Sequence, residues 1–163
     1  MHRVFAEYFL SDKNMNNPFS LRKMTSSDKA DFISMSRDFY SSDAVFAPVP
    51  ESFHEQAFDE IINGSPYADC LFFVNDGKVA GYALMAFTYS REAGGKCVWA
   101  DELYIKPEYR GSGAAKYFFS MLPSLYPAAR YRLEVEPDNV RAKKLYASQG
   151  FNALPYEQMK KGD

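Results

Sequence analysis

The chain has 163 residues, of which 47% are hydrophobic, 25% charged and 17% aromatic. That composition is that of one globular domain large enough to bury a core, and the high aromatic fraction argues against disorder. Nineteen Lys and Arg against 21 Asp and Glu leave a net charge of -2, so no overall positive field favours nucleic acid as a partner. Apolar runs stay well short of the ~20 residues of a membrane span. No leader is apparent at the start, where Arg3, Glu7 and Asp12 surround a short apolar stretch. The two cysteines, Cys70 and Cys97, and the two distant histidines, His2 and His54, form neither a disulfide scaffold nor a metal-ligand cluster. No metal is expected, and a reducing cytoplasm is the default compartment.

Residues 1–17 read as an N-terminal extension, because Asn14, Asn16, Asn17 and Pro18 break any helix begun upstream. The domain then occupies residues 18–163. Residues 19–24 alternate apolar and polar, the period of a strand. Thr25-Ser-Ser-Asp28 is a capping box with Asp in the acidic place, opening a helix whose apolar face is Phe32, Ile33, Met35 and Phe39. A loop over 41–50 ends at Pro48 and Pro50. Ser52-x-x-Glu55 caps a second helix carrying Phe53, Phe58, Ile61 and Ile62, which Asn63-Gly64 closes. Strands over 70–74 and 79–89 flank a hairpin turn at Asn75-Asp-Gly77, and a third strand runs over 97–105. After Pro107 a glycine loop opens a helix through Phe118, Phe119, Met121 and Leu122, which Pro123 should kink or end. A strand follows over 131–135. Then comes a helix capped by Asp138 or Asn139 and running to Gln149, with Gly150 as its C-terminal cap. Residues 151–161 leave room for one or two final strands. The order predicts an α+β fold around a mixed sheet with an antiparallel meander.

The loop Arg110-Gly-Ser-Gly-Ala-Ala115 follows a strand and precedes a helix. Gly111 and Gly113 permit a tight turn, and a helix N-terminus adds the positive end of its dipole, so the place suits a phosphate. A bland tight turn is the competing reading. A Walker loop would need Gly-Lys-Ser/Thr where Gly113-Ala-Ala-Lys116 stands. A dinucleotide fingerprint would need Gly at 116, and although Glu134 follows at a suitable distance, too little chain remains for such a fold. The remaining reading is a coenzyme A pyrophosphate. Here the loop resembles the Arg/Gln-x-x-Gly-x-Gly/Ala pattern of the GCN5-related N-acetyltransferase (GNAT) superfamily. Asp101-Glu-Leu-Tyr-Ile-Lys-Pro-Glu-Tyr109 is similar to that family's approach to the loop, and Leu133-Glu-Val-x-x-x-Asn139-x-x-Ala142-x-x-Leu145-Tyr146-x-x-x-Gly150-Phe151 to its second block. The segment from Phe39 to Pro50 looks like a subgroup of small bacterial acetyltransferases.

The resemblance implies an acetyl-CoA-dependent transfer to a primary amine. In it, the backbone of Leu103, Tyr104 and Ile105 would bond the pantetheine arm. N–H groups of Gly111, Ser112, Gly113, Ala114 and Ala115 would cradle the pyrophosphate, with Arg110 at the rim. Asn139 would either hydrogen-bond the arm or simply cap its helix, and both roles are compatible. Tyr146 lies seven residues on, on the same side of the helix. It is either the acid that protonates the leaving thiolate or a core tyrosine. The amine needs a base. Asp101 and Glu102, adjacent on a strand and so expected on opposite faces, rank jointly first, and Glu134 follows. Trp99, Tyr82, Phe87 and Tyr89 line the acceptor pocket or pack the core. Asp43, Glu51 and Glu55 would favour a cationic amine, with a solvated loop as the competing reading. Cys70 and Cys97 read as buried thiols rather than nucleophiles. The rival is a non-catalytic CoA-binding sensor of the same fold. Neither nucleic acid nor a membrane is an expected partner, and a homodimer is left open.

Overall fold

The computed structural model describes residues 17–162 apart from 43, 44 and 46. The expected extension therefore lies outside the described residues, except for Asn17. Strand β1 (Phe19–Lys23) buries Phe19 and Leu21 on one face and sends Arg22 to the other. There Arg22 grips the Asp28 carboxylate at 2.7 and 2.8 Å. The same carboxylate accepts from the Thr25 N–H at 2.7 Å, so the predicted capping box forms, first as a 3-10 turn over Ser26–Asp28 and then as α1 (Lys29–Tyr40). Helix α2 (Glu51–Ile62) begins one residue before the expected Ser52 cap, directly after the extended Pro50. Glu51 is thus free to bond Arg37 of α1, whose Nε lies 2.8 Å away.

Strands β2 (Ala68–Asn75), β3 (Lys78–Ser90) and β4 (Gly95–Ile105) form the predicted meander. Its first turn places Asp76 at φ 47° and Gly77 at φ 76°, the left-handed pair that matches strand twist in a tight hairpin. After a 3-10 turn at Pro107–Tyr109 come α3 (Ala114–Leu125), the short β5 (Arg130–Leu133) and α4 (Val140–Ser148). Pro123 lies inside α3, which continues to Leu125 because Tyr117, Phe118, Phe119 and Leu122 anchor it on the sheet.

The sheet order is β1-β2-β3-β4-β5, antiparallel except for the β4–β5 pair. One face packs Val98, Ala100 and Met85 under α3, with Leu145 and Tyr146 of α4 at the margin. The other packs Phe72, Tyr82 and Tyr104 under α1 and α2. Fully buried rings such as Phe32, Phe72, Phe73 and Phe118 each contribute ~2–3 kcal/mol of hydrophobic burial. No final strand follows among the described residues: 151–162 carry no strand and are exposed after Phe151. Pro155 withholds a ladder donor there, and Tyr156 instead donates to Glu92 in the β3–β4 turn at 3.0 Å.

Candidate active site

Two irregularities of β4 build the site. The first is a bulge: Leu84 pairs with Glu102 and Met85 with Ala100, so Asp101 is the extra residue. A one-residue insertion reverses which side chains face each layer. Val98 and Ala100 face α3, and beyond the bulge it is Leu103 and Ile105 that do so, while Glu102 and Tyr104 turn toward α1. The second is a missing partner. β5 pairs only with Cys97 through Ala100, so among the described residues the outer edge of β4 from Asp101 to Ile105 has no strand partner. Leu103, Tyr104 and Ile105 lie on that open edge, as the expected pantetheine contact requires, but the Tyr104 side chain points to the opposite layer and donates to Asp38 at 3.0 Å.

Glu102 is 8% exposed. The Tyr40 hydroxyl donates to its Oε1 at 2.8 Å and the Tyr82 hydroxyl to its Oε2 at 2.6 Å, and no ion pair among the described residues involves it. Burial raises its pKa, the two phenols pull it back, and the Asp101 charge adds to the rise. Both phenols are themselves pushed well up, by burial first and then by the Glu102 charge, so they remain donors. Asp101 is solvent-exposed at the bulge, yet enough protein crowds it to raise its pKa, and the Glu134 charge adds to that. Glu134 falls just beyond the end of β5 and is exposed. The three expected carboxylates therefore do assemble at the opening, with Glu102 alone buried. Tyr40 also lines a hollow of about 240 Å³ with Ser41, Ser42, Val45, Ala47 and Pro48, so it joins Glu102 to the loop over 41–50. Asp43 lies outside the described residues, and Glu51 is engaged by Arg37.

The glycine loop sits at the C-terminal end of the open edge. Gly111 and Gly113 adopt φ of 79° and 91°, and Gly113 is the residue that starts α3. A Cβ on Gly113 would meet nothing within 4 Å, so this position needs glycine for its backbone conformation rather than for space. Among the described residues, no backbone N–H from Gly111 to Ala115 donates to a protein acceptor. Five successive free donors at a helix start suit an anion. Arg110 is tied to the strand end, its Nε donating to the Ile105 carbonyl at 2.9 Å. Arg141 of α4, which carries no sequence signal of its own, comes within 3.9 Å of where a Gly111 Cβ would sit and adds a second cation to the loop.

Asn139 caps α4, its Oδ1 accepting from the Ala142 N–H at 3.0 Å. Tyr146 is half-buried, edge-on to Phe119 at 5.5 Å and Phe151 at 6.2 Å. Burial alone raises its pKa, and among the described residues its hydroxyl has no protein partner. The other aromatics divide. Tyr82 belongs to the site, and Phe87 packs on Tyr126. Trp99 bonds Thr88 under the Arg132 guanidinium, and Tyr89 is 75% exposed. Both cysteines are buried, and burial pushes the Cys70 thiol well up, which leaves it unreactive. No group of three or more metal-ligating side chains occurs among the described residues, and none of the helices described is long and apolar enough to cross a membrane.

The site is thus a mixed sheet whose parallel strands part beside a glycine loop, with a buried carboxylate on the inner strand. The profile of the acetyltransferase (GNAT) family matches residues 32–151, and the chain belongs to that family. A curated relative, bovine (Bos taurus) thialysine N-epsilon-acetyltransferase, is 31% identical over 94 residues, which cover 56% of this chain and 50% of the relative. The match thus spans about half the length of that protein. Among solved structures, a possible acetyltransferase from Clostridium difficile 630 aligns with a TM-score of 0.77 at 16% identity, over 90% of this chain and 99% of that one. The aminoglycoside N-acetyltransferase AAC(6')-Iy in complex with CoA aligns at 0.73 and 14% identity, over 91% and 97%. At these identities the structural matches establish the fold.

Proposed function

We propose that this protein transfers an acetyl group from acetyl-CoA directly to a primary amine of a small molecule or peptide. One observation carries the proposal: a buried carboxylate without a cationic partner, Glu102, stands on the same strand that leads into the free N–H groups of the glycine loop. The five donors from Gly111 to Ala115 and the start of α3 fit a pyrophosphate, with Arg110 and Arg141 flanking it. The open edge at Leu103–Ile105 fits the amide-bearing arm, and the Asn139 amide nitrogen remains available beside its capping oxygen. When bound, acetyl-CoA supplies the acetyl group and a thiol leaving group.

The chain's own residues handle protons. An ammonium cannot attack a carbonyl until it is deprotonated. Glu102 is a stronger base than a free glutamate because burial raises it, and its two phenol donors keep the anion hydrogen-bonded in place. Asp101 and Glu134, on the exposed side of the bulge, draw a cationic amine toward it. Tyr146 holds its proton through neutral pH and releases it to the departing sulfur. The names of the bovine relative and of the aminoglycoside enzyme both denote amine acetylation, which supports the amine class.

The test is thiol release from acetyl-CoA over a panel of amines, polyamines, amino acids, aminoglycosides and N-terminal peptides. Turnover with at least one amine is expected. CoA binding without turnover across the panel would identify a non-catalytic CoA sensor.

A further inference from the structure

The sheet face that leads up to Glu102 carries a cation that the chemistry above leaves unused. Tyr131 and Leu133 of β5 turn toward α3 together with Val98 and Ala100 of β4. Trp99 and Arg132, at paired positions of the same two strands, therefore share the opposite face, which is the one Glu102 occupies. The Arg132 guanidinium carbon lies 4.2 Å from the centroid of the Trp99 ring. The ring is itself held by its Nε1, which donates to Thr88 Oγ1 at 3.2 Å. Both residues are half-buried, and Trp99 belongs to neither core cluster.

Arg22, Arg37 and Arg130 each pair with a carboxylate, and Arg110 bonds the Ile105 carbonyl. Among the described residues the Arg132 guanidinium makes neither kind of contact. The acids around it are otherwise engaged. Glu92 is bonded by Arg130 at 2.9 Å and by Tyr156 at 3.0 Å. Asp101 and Glu134 stand two residues further along each strand, one same-face step of ~6.7 Å. They act on each other: crowding by protein raises the Asp101 pKa first, and the Glu134 charge adds to the rise. The face thus holds a cation at one end and carboxylates at the other.

A guanidinium laid against an aromatic face has its N–H fork pre-organised and gives up little further freedom on binding; the fork matches the two oxygens of a carboxylate. The acidic surroundings favour a singly charged carboxylate over a dianionic phosphate, which they would repel about twice as strongly. We propose that Arg132, oriented by Trp99, determines which amine is acetylated, by seating the carboxylate of an acceptor whose amine reaches Glu102 beside Asp101 and Glu134. The favoured acceptor is a small ω-amino acid, its charged ends separated by about four or five methylenes, a span of ~6–7 Å that matches one same-face step. A diamine of that length is disfavoured, because its second ammonium meets Arg132. The inference rests on the reading of Asp101 and Glu102 as the seat of the amine.

The probes are ε-aminohexanoate and its neutral amide, which have the same length and differ by one charge. Each is titrated calorimetrically into the CoA-loaded full chain and then assayed for thiol release with acetyl-CoA. Wild type should bind the acid ~10-fold more tightly than the amide, as one charge-assisted contact at a half-exposed site implies, and should acetylate it with the lower KM. Arg132→Gln should erase that preference through KM rather than kcat. Arg132→Lys keeps the charge without the planar fork and should restore part of it. A diamine of the same length should gain affinity in Arg132→Gln, since a like charge is removed. Equal binding of acid and amide by wild type, or a preference that survives Arg132→Gln, overturns the proposal. A loss of CoA affinity in that variant also overturns it, by placing the cation on the cofactor. Failure of the transfer reading is separate: the acid is then bound with this preference, and no amine releases thiol from acetyl-CoA.

Discussion

Gly81 is the tightest point beneath the site. It pairs with Ile105 at the end of β4, and a Cβ there would lie 2.2 Å from the Tyr104 carbonyl oxygen and 3.0 Å from Ile105 Cα. A carbon–oxygen contact settles near ~3.3 Å, so Gly81→Ala requires the two strands to part by about 1 Å. The obstructing atom is backbone, held in the β3–β4 ladder, and has no rotamer to swing away. Overpacking a well-packed core costs ~1–3 kcal/mol, and this geometry belongs at the upper end, at ~3 kcal/mol, or roughly 6–12 °C in Tm for a chain of this size. The displaced strand end carries the Ile105 carbonyl that anchors Arg110, so the glycine loop shifts with it. Misplacement of about 1 Å in a binding constellation costs on the order of 10²-fold, and CoA affinity should fall by ~10-fold or more. Thermal unfolding and calorimetric titration with CoA, on one preparation, read both effects. A Tm within about 2 °C of wild type, with affinity intact, would refute the reasoning.

Gly113→Ala puts a Cβ on a backbone at φ 91°; with open space around it, the cost is conformational, ~1–2 kcal/mol, and CoA affinity should drop more than in Arg110→Ala, whose exposed contact contributes ~1 kcal/mol or less. An equal loss in the two variants by calorimetry would remove the special role of the loop. Tyr146→Phe keeps the ring contacts with Phe119 and Phe151 and leaves no protein group unpaired, so Tm and CoA affinity should hold while turnover falls ~10- to 10³-fold; a fall in stability with turnover kept would make it a core tyrosine. The raised pKa values of Glu102 and Asp101 mean that the folded state holds their protons more tightly than the unfolded chain does. Their stabilising contribution is complete below the unfolded carboxyl range near ~4 and is lost as pH rises through their folded values. Glu102→Gln should therefore gain in Tm relative to wild type as pH is raised from about 4 to 8, and a gap that narrows instead would contradict the burial argument.

Much of this was legible in the sequence because the signals were local. Thr25 and Asp28 sit at capping-box spacing, Asn75-Asp-Gly77 demands a tight hairpin, and the two glycines of the loop fall between a strand and a helix. What stayed hidden depended on register. Strict alternation along β4 would have put Glu102 on the face of Val98 and Ala100, and only the bulge at Asp101 turns it into the opposite layer. Its partners Tyr40 and Tyr82 are 62 and 20 residues away, and nothing in the chain's periodicity marks them as donors. The buried contact between His54 and Ser36 was hidden as well, because a lone histidine in a helix has no sequence signature and Ser36 is one of many serines. The expected last strands did not form for the converse reason: the length of 151–161 leaves room for them, but four-residue β5 offers little edge to join and Pro155 withholds a donor.

The measurement that tests the account most directly is the pH dependence of amine acetylation in Glu102→Gln against wild type, with CoA affinity checked on the same samples. If Glu102 takes the amine proton, the variant should bind CoA normally and lose ~10²-fold or more in turnover at neutral pH. The deficit should shrink as pH approaches the range where the amine is already neutral. Turnover equal to wild type at neutral pH, or a loss of constant size at every pH, would contradict the assignment of Glu102 as the base.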